Sequence, residues 1–199
     1  MTVRPLAILS LAAAALTLSA CGINSVPTKE EAAKTEWADV QAAYQRRADL
    51  IPNLVETARG AAQIEQSTLE GVIQARASAT QVQLNADDLN DPAKVEAFRQ
   101  AQGNVSSALG RLLVTVEQYP QLQSQQRFAD LMTQLEGTEN RINVTIQDYN
   151  KAVQDYNTTI RTFPDIIGAK IIHGAEPMKP FEAVSPNANV APKVDFGTK

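Results

Sequence analysis

The 199-residue chain holds one cysteine, Cys21, and one histidine, His173. Nucleophiles and metal sites are most often built from these residue types, so their scarcity bounds the chemistry available. His173 has no cysteine, histidine or acidic cluster near it in sequence, so a metal ion there would lack ligands. It is expected as a partly exposed residue of a C-terminal turn. No Gly-rich phosphate loop, nucleophile elbow or HExxH motif occurs. Asp87, Asp88, Asn90 and Asp91 crowd one loop, where helix capping accounts for them better than a cation does. The expectation is a protein with no catalytic residues, no metal and no cofactor, and not an enzyme.

Cys21 is different because of what precedes it. Residues 1–20 read MTVRPLAILSLAAAALTLSA, with a positive start at Arg4, an apolar stretch from Leu6 to Ala20 and small residues before the cysteine. That is the pattern of a secretory signal peptide. The apolar stretch is shorter than the roughly 20 residues a membrane-spanning helix needs. Leu18-Ser19-Ala20-Cys21 resembles the bacterial lipobox, whose cysteine receives a thioether-linked diacylglycerol before cleavage in front of it. The alternative is an incidental thiol in an uncleaved anchor helix. Each buried CH₂ contributes roughly 0.8 kcal/mol, and two or more chains anchor stably. Cys21 is thus the predicted lipidation site, followed by a short polar tether over 21–27. Gly22 stands where an acidic residue would signal inner-membrane retention in many Gram-negative lipoproteins, and that resemblance implies a periplasm-facing protein of the outer membrane in preference to the inner.

Among the polar residues that interrupt otherwise apolar helical stripes, three from three helices fall near one level: Arg76, Gln102 and Glu139. A buried unpaired charge costs several kcal/mol, so such groups should meet one another. Reflecting neighbouring antiparallel helices about their turns puts Gln102 opposite Glu139 and within a turn of Arg76. The expected result is a structural polar layer that fixes helix register. Gly103 and Gly137 fall beside it, where close helix approach would explain them. The competing reading is an accidental alignment, with Arg76 reaching outward.

The elements that must carry these residues are helical. Residues 28–163 are rich in Ala, Gln, Glu, Leu and Arg, all good helix formers. One helix is expected from Thr28, capped with Glu31, to about Leu50, presenting Trp37, Val40 and Tyr44. A second runs from Pro52 to Leu84, with Glu65 and Arg76 as its polar breaches. A third starts at Asp91-Pro92, with Asp91 as cap and a stripe through Phe98, Val105, Leu109, Leu112 and Val116. The longest starts after Tyr119-Pro120 and keeps a 4-3 stripe from Phe128 to Phe163, the spacing of a coiled-coil-like seam. Phe163-Pro164 ends it. Asp49–Asn53 is either a turn or a proline kink. The turn is favoured because it folds Trp37 and Tyr44 back onto residues near 65 and 58. Short connections make neighbours antiparallel, so the predicted fold is an all-α, up-and-down four-helix bundle over 28–173. Tyr149-Asn150 and Tyr156-Asn157 repeat seven apart and are expected in the core. Ile166, Ile167, Ile171 and Ile172 are expected to cover the end of the long helix. Residues 174–199 hold four prolines and form an extended tail.

Without residues 1–20 the chain keeps 17 basic and 22 acidic side chains, net −5. Nucleic acid is excluded as a partner, since phosphate binding needs a basic face. One cysteine allows no internal disulfide.

Four segments resemble the LemA family: YQRRADLIPNLVETARG (44–60), YPQLQSQQRFADLMTQLEGTENRI (119–142), YNKAVQDYNTTIRTFP (149–164) and APKVDF (191–196). The resemblance implies an antiparallel four-helix bundle behind an N-terminal membrane anchor, with no established enzymatic activity. Its pattern includes Arg46, Arg47, Asp49, Pro52 and Asn53, and also Glu139, Asn140 and Arg141. The Leu-Ser-Ala-Cys segment departs from the family's usual uncleaved anchor. Together these features lead to a lipid-anchored helical scaffold or adaptor of the bacterial cell envelope, held at the membrane and working through an envelope protein partner. The alternative is a carrier of a small ligand or peptide, with its pocket between Tyr149, Phe163 and the isoleucines at the distal end of the bundle.

Overall fold

The computed structural model describes the backbone of residues 3–61 and 64–182, with side chains from Asn24 onward except those of Ala61 and Gln123. The described residues are all-helical, with no strand among them. Helix α1 spans Val3–Ala61, α2 Gln66–Gln81, α3 Pro92–Val116, α4 Pro120–Gln123, α5 Gln126–Thr159 and α6 Asp165–Gly168. A 3₁₀ turn, Ala86–Asn90, precedes α3, and a π-type turn, Ala169–His173, follows α6. The chain divides into two compact units, one of residues up to 44 with 140–181, the other of 45–139.

The expected turn at Asp49–Asn53 is absent, and α1 continues through Pro52. Proline inside a helix removes the N–H that would bond the carbonyl four residues back. Here that carbonyl is Ala48 O, and it accepts a hydrogen bond from Arg76 Nε at 2.6 Å. The orphaned acceptor is satisfied from α2, so the helix continues. A matching expectation follows. Arg76→Ala should destabilise the native protein by about 1 kcal/mol, and Pro52→Ala should erase most of that cost by restoring the lost N–H. A double-mutant cycle in urea denaturation reads the coupling, and additive costs would contradict it.

The break between the first two long helices lies further on, at residues 62–65. Glu65, expected as a breach within a helix, precedes α2 with an extended backbone (φ −54°, ψ 124°). Thr28 does not begin a helix either. Its hydroxyl bonds back to Asn24 O at 2.7 Å, inside α1. The segment 24–27, read as tether, is therefore helical, and Val26 is fully buried.

Asp91 caps α3 as its position predicts, accepting from the N–H groups of Ala93 (2.9 Å) and Lys94 (3.4 Å), with Pro92 in the first turn. Asp88 accepts from Asn85 N and from Lys94 Nζ. The Lys94 ammonium holds the Asp88 carboxyl below its ordinary range. The connection after α3 is longer than the Tyr119-Pro120-Gln121 turn expected, because Leu122 on the one-turn α4 is drawn into the core and α5 starts only at Gln126.

In the 45–139 unit one apolar cluster gathers residues from all four long helices: Ile51, Leu54 and Ala58 of α1; Leu69 and Val72 of α2; Val105, Leu109 and Leu112 of α3; Phe128 and Leu135 of α5. In the other unit the α5 stripe continues through Ile142, Ile146, Tyr149, Val153, Tyr156 and Ile160, all buried. Phe163, its expected last member, is 74 % exposed. Helix α5 ends at Thr159, before the stripe reaches it.

Candidate functional site

Two polar constellations with buried members stand out among the described residues, one in each unit. The first centres on Arg47, whose side chain is 3 % exposed. Its Nη1 donates to Glu139 Oε1 at 2.9 Å, to Glu139 Oε2 at 3.2 Å and to Ser106 Oγ at 3.1 Å. Its Nη2 donates to Gln102 Oε1 at 2.6 Å and approaches Gln102 O at 3.3 Å. One planar guanidinium on α1 thus ties α3 to α5, using the multiple-donor geometry that lysine lacks. Chemically this is a saturated knot. The carboxylate is engaged by Arg47, and the Ser106 hydroxyl beside it accepts from the same guanidinium and donates to Gln102 O at 3.4 Å.

Of the three residues expected in the polar layer, the structure brings Gln102 and Glu139 to this one cation and leaves Arg76 out. Arg76 is committed to Ala48 O instead. Arg47 was legible in principle: Trp37, Val40, Tyr44, Arg47, Ile51, Leu54 and Ala58 form an unbroken 3-4 stripe. Ending the helix near Leu50 hid it. Gly137 is exposed, and a Cβ there would meet nothing within 4 Å, so close helix approach does not explain it.

The second constellation is built on the Tyr-Asn repeat of α5. Asn150 donates its amide to Phe181 O and accepts from Phe181 N, both at 2.8 Å. Asn157 does the same with Met178, at 2.8 and 2.9 Å. The hydroxyls of Tyr149 and Tyr156 donate to the carbonyls of Lys179 (3.0 Å) and Glu176 (3.1 Å). Seven helical residues advance about 10.5 Å, and three residues of extended chain about 9–10 Å. A heptad of Tyr-Asn pairs therefore matches a three-residue step in a stretched peptide, and the segment 176–181 lies along α5 as a strap. Gly174 turns the chain into that path with a left-handed backbone (φ 56°) that glycine adopts without a Cβ clash.

The strap supplies the cover expected from the isoleucines. Phe181 is 1 % exposed and packs on Trp37 with ring centroids 5.1 Å apart; Trp37 meets Tyr149 edge-on at 5.2 Å. Ile167, Ile171 and Ile172 are instead exposed. The end of α5 also lies beside Val26, which clusters with Tyr156, Ile160 and Ala169. It is therefore the end nearest residue 21, not the distal one. His173 is exposed in the π-type turn.

Burial pushes the Tyr149 phenol up to about 12 from 10.0, and Tyr156 moves upward for the same first reason. The folded state holds these protons more tightly than the unfolded chain does. The contribution is intact below pH 10 and is lost as pH rises from about 10 to about 12. Spectrophotometric titration should show one tyrosine ionising near 12, and Tyr149→Phe should remove that late component.

An open groove of about 440 Å³ runs along the strap, lined by Asn150, Val153, Asn157, Arg161, Thr162 and Pro180 among others. Among the described residues no three His, Cys, Asp or Glu side chains gather as a metal site, and no helix is long and apolar enough to cross a membrane. Backbone α1 includes Cys21, but its side chain and all of residues 183–199, including most of the expected tail, lie outside what is described.

The chain is similar to known proteins over most of its length. It is 30% identical over 157 residues to Magnetosome protein MamQ 2 of Paramagnetospirillum magneticum, covering 71% of this chain and 58% of the relative. It is 29% identical over 175 residues to Magnetosome protein MamQ of Magnetospirillum gryphiswaldense, covering 80% of this chain and 64% of the relative. The chain thus spans about three fifths of the length of these relatives. The LemA family matches residues 36–196, a span that contains the Arg47 knot and the Tyr-Asn clamp. On that match the chain belongs to the LemA family.

Proposed function

We propose that this chain is a non-enzymatic, membrane-anchored helical scaffold or adaptor of the bacterial cell envelope. It is attached by acylated Cys21 and faces the periplasm, at the outer membrane in preference to the inner. In this reading the four helices of the 45–139 unit pack as an antiparallel bundle that the Arg47 knot holds in register. The observation that carries the reading is how the polar side chains are employed. Arg47, Gln102 and Glu139 bind one another, and Asn150, Asn157 and the two tyrosines bind the chain's own backbone. Such bonds stiffen a platform and commit these polar groups to holding the chain's own elements together.

Crosslinking in intact cells, followed by mass spectrometry of the membrane fraction, tests it. A reproducible protein partner is expected. A copurified small molecule with no partner would favour the carrier reading, which the groove beside the strap supports. Substrate turnover by the purified protein would refute both.

A further inference from the structure

The end of α5 carries an apolar surface that nothing in the chain's own described residues covers. Phe163 is 74 % exposed, Ile167 48 %, Ile171 79 % and Ile172 56 %. They fall within ten residues, on α6 and the turns around it. This placement is held firmly. Ala169, between the isoleucines, is fully buried and packs with Val26, Tyr156 and Ile160. Asp165 accepts a hydrogen bond from Ser25 Oγ. Lys29 pairs with Asp155 at 3.6 Å. The exposed isoleucines are therefore not loose chain but the outer face of a turn whose inner face is pinned to residues 25 and 26.

Those two residues locate the surface. Val26 lies five positions after Cys21, and five residues of helix advance only about 7.5 Å. Whatever leaflet receives the acyl chains of residue 21 must lie near Val26 and hence near the turn around Ala169 that packs on it. Arg161, Lys170 and His173 are exposed on the same segment. Long basic side chains flanking an apolar face suit the headgroup layer, where stems lie against acyl chains and charges stay wet. A patch of large aliphatic side chains facing water would be an association hazard; facing a bilayer it is satisfied.

We infer that Phe163, Ile167, Ile171 and Ile172 form a foot that inserts into the lipid interface beside the anchor. A single acylated residue is a swivel; a second attachment at a separate point limits the tilt of the unit above them. The foot thus sets the direction in which the helical unit stands from the membrane. This rests on the reading of Cys21 as the anchor.

The test uses full-length protein purified from membranes, carrying Ile171→Cys labelled with the environment-sensitive dye NBD. The protein is reconstituted in vesicles of phosphatidylethanolamine and phosphatidylglycerol, with or without nitroxide-labelled lipid. Val144→Cys, about 22 Å back along α5, serves as the control. The expected result is blue-shifted emission at 171 that nitroxide lipid quenches, with neither effect at 144. Emission at 171 that matches water overturns the foot while leaving the anchor intact. Blue-shifted emission that lipid nitroxide does not quench also overturns it, because protein then covers the patch. Dye incorporation at residue 21 shows a free thiol there and fells the anchor reading itself, and the foot with it.

Discussion

Glu139→Ala is expected to destabilise the native protein by about 3 kcal/mol, the low end of the cost of breaking a buried ion pair, and to do more harm than Arg47→Met. The asymmetry follows from burial. The Arg47 side chain is 3 % exposed and that of Glu139 is 40 % exposed. Deleting the carboxylate leaves a buried guanidinium without its counter-charge, with the neutral Gln102 and Ser106 oxygens still bound to it. Deleting the guanidinium leaves a carboxylate that can turn to solvent, and methionine fills the space of the arginine stem. The remaining cost, chiefly the Gln102 oxygen left without its donor, is about 1–2 kcal/mol. Urea denaturation with unchanged m-values reads the order. The double variant Arg47→Met/Glu139→Ala should be more stable than Glu139→Ala alone. If Arg47→Met proves the costlier single change, the assignment of Arg47 as the buried partner fails.

The second large effect is at the clamp. Each asparagine makes two bonds to the strap backbone, so Asn150→Ala or Asn157→Ala should cost about 2 kcal/mol. Together they should free the segment 176–181. Trp37 is the chain's one tryptophan and it reports the event directly. It is 1 % exposed and packed at a tilt against Phe181, so release of the strap should shift its emission to the red without loss of helical circular dichroism. Hydrogen exchange gives the residue-level check. The Met178 and Phe181 amides, protected by Asn157 and Asn150, should exchange slowly in the native protein and fast in the double variant. Equal rates in both would show that apolar packing alone holds the strap.

The helical stripes were the most legible part of the sequence, because burial along α3 and α5 repeats every three to four residues and tolerates few exceptions. Errors arose where backbone hydrogen bonding, not hydrophobicity, decided the outcome. Pro52 looked like a helix end because its missing N–H is visible in sequence, whereas Arg76, which repairs the loss, lies 24 residues away. Removing that false boundary makes Arg47 the in-phase cation and releases Arg76 from the polar layer. Glu65 looked like a breach inside a helix, and the structure makes it the residue before a new one. The strap was the least legible element. Its side-chain pattern is irregular, since α5 holds it mainly by its main chain, and main-chain atoms are the same in every residue. The signal present was the heptad Tyr-Asn repeat. Asparagine can donate and accept at once, so a pair seven apart on a helix suits an extended backbone better than a featureless core.

Metabolic labelling with radioactive or alkynyl palmitate, in cells expressing the native chain or Cys21→Ser, tests the central claim most directly. The account predicts label on the native protein, recovered in the membrane fraction, and an unlabelled Cys21→Ser variant that leaves that fraction. Label that persists in Cys21→Ser, or an unacylated native protein recovered free of membranes, would contradict it.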